Sequence, residues 1–386
     1  MDLDLHSLLL RAVQAGASDV HLKVGQPPIL RRDGALTPLE NWIPLDGRQL
    51  ESVLSTVTAR DLPRRAGFED TGELDIAYTP TDLPRFRVNG FRQRGEISFA
   101  FRAIPSNVPT FADLGLPEGV ALLAEEHRGL VLCTGATGSG KSTTLAAIVG
   151  HVNASRRGHI VTIEDPIEFL HDDRMSIVNQ REVGLDTGSF GEALRRALRQ
   201  DPDVILIGEL RDAETAQTAM QAAESGHFVL STLHTIDAAE TIGRMVEFFP
   251  PEKHKQVRSI LAGVLRGVIS QRLLPRRSGG RVAAVEVMVL NARVGDLIRE
   301  NRADEIHDAI AEGAFFKMQT FTQALIDLVV GGEVEREVAA NAATNRHDFL
   351  VALDHALKQH AVDEQEVVEE PEEDELGGLR LVRPGE

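Results

Sequence analysis

Four short apolar runs between positions 129 and 236, each followed by a helical pattern, set the rhythm of the middle of the chain. They are GLVLCTG from Gly129, HIVTIED from His159, VILIGE from Val204 and HFVLSTLH from His227. A strand apolar on both faces is buried on both faces, as in a parallel sheet. The intervening stretches predict helices from Lys141, near 190–200, over AETAQTAMQAAESG and from Asp237. Such strand–helix alternation builds a parallel sheet covered on both sides. Beyond residue 251 the pattern reads as mostly helical, interrupted by one strand at RVAAVEVMVL.

The first 104 residues have a different texture. Short strand-like runs alternate with turns: VHLKVG, ILRRDG, ELDIAYTP, RFRVNGFRQ and ISFAFRAI. Arg32-Asp33-Gly34 and Asn89-Gly90 carry turn chemistry. Helical patterns at 5–16 and 46–59 complete a small α+β domain. Residues 105–119, PSNVPTFADLGLPEG, hold three prolines and read as a linker. The expected organisation is therefore a domain over 1–104, the linker, an α/β domain over 120–360 and a tail over 361–386. No internal repeat is visible.

Composition narrows the function classes. A chain of 386 residues with 42% hydrophobic content can build two ordinary cores. One cysteine, Cys133, excludes a disulfide framework and a four-cysteine zinc site, and it fits a reducing cytosol. Inside an apolar strand it reads as a small buried hydrophobe. The start, MDLDLHSLLLRAV, is acidic and amphipathic, unlike a signal peptide. No apolar run approaches the roughly 18 residues of a membrane span, which leaves peripheral membrane association open. Of the net charge of −18, the tail carries much, with ten acidic and two basic residues. Its composition is that of a solvated, disordered segment. No basic stripe is present to track a phosphate backbone, so nucleic acid is not an expected partner.

The sharpest motif is GATGSGKST, residues 135–143, which follows a buried strand and opens a helix. That is the context a phosphate loop requires. Gly135, Gly138 and Gly140 let the backbone of Thr137 and Ser139 close on phosphate oxygens, and the helix N-terminus adds its dipole. Lys141 is expected on the β- and γ-phosphates of ATP. Ser142 is expected on Mg²⁺, with Thr143 beside it in the first helical turn.

One residue is out of pattern. The strand VILI should end in a metal-holding Asp, but it ends in Gly208 followed by Glu209. Glu209 can hold Mg²⁺ through a water, since Glu reaches further than Asp. A second acidic group, VTIEDPIEF at 161–169, places Glu164 and Asp165 at another strand end, where α/β sheets bind ligands. Glu164 is then the candidate general base. The bland alternative makes Glu164, Asp165 and Glu168 a solvated acidic turn. His227 and His234 flank FVLSTL. His234 lies at the ligand end, where a γ-phosphate sensor would sit; His227 can equally be structural.

Together GATGSGKSTT, TIEDPIEF, NQREVG, EALRRALRQDPDVILIGELRD and GHFVLSTLHT resemble the hexameric secretion ATPases, and among them the retraction motors of type IV pili that drive twitching motility. The resemblance begins near GASDVHLKVGQPPILRRDG and includes RFRVNGFRQRG, FRAIP and MQTFTQAL. It implies a PAS-like N-terminal domain, a RecA-like phosphate-loop ATPase core and a homohexameric ring. It also implies that the Gly-Glu strand end is normal, with Glu164 as base, and that Arg85, Arg87 and Arg102 reach nucleotide from the N-terminal domain. The alternative for these three is an exposed basic strand.

The implied setting is the cytoplasmic face of the inner membrane at the pilus base, on a platform protein and beside a paralogous retraction ATPase. One segment departs from the family. Where its members read A-I-R-N-L-I-R-E, this chain has RVGDLIRE at 293–300, with Gly295 and Asp296 in place of Arg and Asn. That leaves hydrolysis intact and opens an accessory-motor reading. A pilus-assembly or type II secretion ATPase is disfavoured by the single cysteine. A non-hydrolysing scaffold is disfavoured by the intact carboxylates.

Overall fold

The computed structural model describes residues 3–32, 34–59, 61–104 and 107–368, with side chains up to residue 360. It is mixed α/β with two sheets, each with its own core. In the N-terminal sheet, β1 (Asp19–Lys23), β2 (Ile29–Arg32), β3 (Ala35–Pro38), β4 (Glu73–Tyr78), β5 (Phe86–Gln93) and β6 (Glu96–Ala103) lie in the order β3-β2-β1-β6-β5-β4, all antiparallel. Helices Leu5–Gln14, Gly47–Val57 and Leu62–Thr71 accompany it. Leu8, Leu9, Leu50, Leu54 and Phe68 from these helices join Phe86, Phe99 and Phe101 in one core.

Three features here depart from the sequence pattern. Helix Leu62–Thr71 buries only Phe68, so its periodicity is too faint to read. Strand β3 is exposed throughout and shows no alternation. Asn89-Gly90 is no turn: both residues lie inside β5, with Gly90 opposite Phe99. A Cβ at Gly90 would come within 2.8 Å of the Phe99 ring, so the glycine makes room for an aromatic side chain. Of the other expected turn, Gly34 has φ 84°, while Asp33 lies outside the described residues.

The second sheet contains β7 (Gly129–Thr134), β8 (His159–Glu164), β9 (Ile177–Glu182), β10 (Val204–Ile207), β11 (Phe228–Leu233), β12 (Leu265–Pro275) and β13 (Arg281–Val289). Their order is β13-β12-β7-β11-β10-β8-β9, parallel except for the β12–β13 hairpin. Period-two alternation divides the strands between two cores. Leu130, Leu132, Ile205 and Ile207 face one, and Val131, Cys133, Val204 and Leu206 the other. Two strands were not apparent from the pattern. β12 lies in the region expected to be helical. β9 is a largely polar edge strand, IVNQRE.

The stretch read as a linker contains the one-turn helix Phe111–Leu114 and the start of helix Glu118–Ala124. At the other end, helix Arg346–Val368 runs eight residues into the stretch read as a tail, and residues 369–386 lie outside the described residues. Among the described residues, no helix is long and apolar enough to cross a membrane.

Candidate functional site: a phosphate-loop cleft

Strands β7, β8, β10 and β11 run parallel, so their C-terminal ends lie along one edge of the sheet. The cleft there takes side chains from all the loops that follow these strands. After β7 the backbone must turn sharply. Gly135 has φ 140°, and a Cβ on it would lie 2.4 Å from the Gln271 carbonyl oxygen. Gly138 and Gly140 also have positive φ, at 80° and 93°.

Helix Lys141–Ser155 then starts without a side-chain cap, so no side chain accepts from its first N–H groups. Those donors and the helix dipole form an anion site. Thr137, Gly138, Lys141 and Ser142 line the cleft. Ser139 is buried, and its Oγ makes no hydrogen bond. Thr143 sits in the first turn of the helix, away from the cleft wall. The Lys141 ammonium donates to the carbonyl oxygens of Gly135 at 2.8 Å and Ala136 at 3.0 Å, and burial lowers its pKa.

Glu164 closes β8 and faces the same cleft. Thr162 Oγ1 donates to its Oε1 at 2.6 Å and Gln180 Nε2 at 3.2 Å. Burial pushes its pKa up despite these bonds, so its protonated form is more favoured than in water. Gly208 closes β10. A Cβ there would sit 3.3 Å from the Ile163 carbonyl oxygen and 3.4 Å from the Phe190 ring, so the close approach of β8 leaves little room for an Asp.

The next residue, Glu209, is the carboxylate that faces the cleft here. Its Oε2 receives the Arg211 Nε at 2.8 Å, and its Oε1 lies 3.3 Å from His234 Nε2. Thr232 Oγ1 donates to the Gly208 carbonyl at 2.7 Å, which ties β11 to this corner.

The expected site residues thus divide. Lys141, Ser142, Glu164, Glu209 and His234 converge on one cleft. His227 does not. It lies at the opposite end of β11, where its ring nitrogen Nδ1 is 2.9 Å from the Ala222 carbonyl, a fold-holding contact.

Arg85 reaches across from the first sheet to Glu182, with Nη2–Oε2 at 2.6 Å. Glu182 pairs in register with Glu164 and accepts the Ile167 N–H at 3.3 Å, so Arg85 braces the acidic segment from behind. Arg87 lies 3.8 Å from Asp75 and Arg102 donates to Asp19 at 2.8 Å; neither lines the cleft in this subunit. Arg211 and His171 were missed. Arg211 stands beside Glu209 in sequence, which was a usable signal. His171 lines the cleft wall, and burial pushes its imidazole pKa down to about 4, so it is neutral there.

The family model for "Type II/IV secretion system protein" matches residues 3–367. The chain belongs to that family. Among its relatives, the type IV pilus retraction ATPase PilT of Pseudomonas aeruginosa is 45% identical over 347 residues, 90% of this chain and all of that one. The type IV pilus ATPase PilU of the same organism is 40% identical, covering 91% of each chain. A crystal structure of the pilus retraction motor PilT with bound ADP superposes with TM-score 0.84 at 43% identity, over 90% of this chain and 99% of that chain. The chain is an ATPase of that family, and the cleft carries its phosphate-loop motif.

Proposed function

We propose that the protein is a homohexameric, Mg²⁺-dependent ATPase that powers retraction of a type IV pilus, and with it twitching motility, from the cytoplasmic face of the inner membrane. The observation that carries the reading is the meeting of Glu164, Lys141 and the Glu209–His234 pair in one phosphate-loop cleft, in a chain that matches the retraction ATPase along its whole length. In the reaction, Glu164 takes the proton of the attacking water. Lys141 holds the β- and γ-phosphates, and His234 reads the γ-phosphate end through Glu209.

Among the described residues, no group of three His, Cys, Asp or Glu is arranged to hold a metal. The donors present, the Ser142 hydroxyl and the Glu209 carboxylate, are hard oxygens that suit Mg²⁺ shared with substrate phosphates. When bound, the ion neutralises charge developing on the β–γ bridge. The platform protein is the expected mechanical partner.

Steady-state turnover tests the assignment. Glu164→Gln keeps size and one acceptor but cannot take a proton, so turnover should fall by about 10²–10⁴-fold with ATP binding retained. Glu209→Gln should lose turnover that high Mg²⁺ partly restores. If Mg²⁺ instead rescues Glu164→Gln and leaves Glu209→Gln inactive, the two roles are reversed.

A second reading, an accessory retraction ATPase, is favoured by one observation. Helix Ala292–Glu300 buries Gly295 and pairs Asp296 with Arg299 at 2.7 Å, where the family carries Arg and Asn.

A further inference from the structure

A helix begins with N–H donors that its own backbone cannot satisfy, and a nearby side chain usually accepts from them. In this molecule one buried carboxylate stands near the start of two helices. Glu286, on β13 and only 3% exposed, accepts the N–H of Ala238 at 2.9 Å, and it shares the wall of one cavity with Phe321. These residues open helices Ala238–Glu247 and Phe321–Val330.

The first of these helices is fastened to the ATP cleft. His234 pairs with Glu209, Thr235 Oγ1 lies 2.6 Å from Thr241 Oγ1, and the Ile236 N–H reaches Glu240 Oε2 at 2.9 Å. The second leads into the C-terminal helices. Arg272, on the partner strand β12, stacks 4.1 Å over the Phe321 ring and donates to the Ala342 carbonyl and, at 3.0 Å, to Thr344 Oγ1. A cavity of about 80 Å³ touches Glu286, Asp237, His307, Phe321 and Thr344. Asp237, Arg272 and His307 are therefore the charged or titratable groups around this carboxylate.

We propose that Glu286 is a positioning residue for ATP hydrolysis: with Arg272 it forms a strut that fixes the His234–Asp237 segment against the C-terminal helices. The proposal rests on the ATPase reading above, through the place of Glu209 and His234 in the cleft. Its physical basis is that Glu286 holds the first helix by a buried hydrogen bond while Arg272, beside it in the β12–β13 ladder, holds the second through the Phe321 ring, so the helices cannot move apart without breaking one of these contacts. A buried donor left without its acceptor carries the full desolvation cost. The strut then transmits the state of His234 to the helices beyond Phe321.

Glu286→Gln tests this. An amide keeps the shape but removes the negative charge that faces Arg272 and puts a donor where one carboxylate oxygen stood, so the hold on both helices loosens. With kcat and KM measured for ATP, kcat should drop about tenfold, the equivalent of one such bond lost in the transition state, with KM within twofold. Amide hydrogen exchange should quicken in both 235–247 and 321–330 and stay unchanged in 141–155. An unchanged kcat, a rise confined to KM, or faster exchange in one helix only would overturn the strut. If Glu286→Gln does not purify as folded protein, Arg272→Lys keeps the charge and removes the fork to Ala342 and Thr344, and the same pair of measurements applies. The exchange readout needs no turnover, so a wild-type protein without ATPase activity would defeat the catalytic reading separately.

Discussion

Glu164 and Glu286 are both carboxylic acids that burial pushes above their ordinary range, Glu286 to about 7 from the ordinary 4.5. For Glu164 the consequence would be kinetic, since a raised pKa favours the proton uptake proposed for it. For Glu286 it is also thermodynamic. Its folded-state pKa is raised, so the fold favours the protonated form. That contribution is fully present below about pH 4.5 and is lost as pH rises through about 7. A shift of this size is worth at most about 3 kcal/mol. The melting temperature of the wild type should therefore decline between pH 4.5 and 7 more steeply than that of Glu286→Gln. Parallel curves for the two proteins would show that the carboxylate does not titrate in this window. None of this was legible in the sequence: Glu286 sits in a plain strand pattern, and its partner Ala238 lies 48 positions away. Arg85 is a similar case, since its partner Glu182 lies 97 positions away. Lys141, Glu164 and Glu209 were legible because a strand end and a glycine-rich turn are local signals.

At the level of elements, legibility followed burial. The strands β7, β8, β10 and β11 are continuous apolar runs and stood out from the chain. β9 is an edge strand with polar side chains, and β12 mixes Arg266, Gln271 and Arg272 into its apolar pattern; neither carries a period that marks it as a strand. The last helix shows the same principle in one element. Its early part buries Phe349 and Leu353 against Phe321 and Leu325, while the acidic sequence beyond residue 360 has little apolar surface to bury. Truncation after Gln359 should leave the melting temperature and turnover near wild type. Phe349→Ala should cost about 3–5 kcal/mol by opening a cavity among helices. Aggregation or lost turnover of the truncated protein would make residues 360–386 part of the fold.

For the whole molecule, the N-terminal sheet reaches the phosphate-loop part of the chain through Arg85 and Glu182, and the β12–β13 hairpin reaches the C-terminal helices through Arg272. The cleft lies between these two connections, so a change there has a route to both ends of the chain. Arg87 and Arg102 are half-exposed or more and do not face their own subunit's cleft. Light scattering with ATP and Mg²⁺ at micromolar protein should report six subunits, and a persistent monomer would contradict the ring. The most direct test of the central claim, that ATP hydrolysis here retracts pili, is a count of surface pili on cells lacking this protein and complemented in turn by wild type and by Glu164→Gln. The deletion should leave excess surface pili and no twitching, reversed by the wild type and not by Glu164→Gln. Bald cells, or full rescue by Glu164→Gln, would contradict the account.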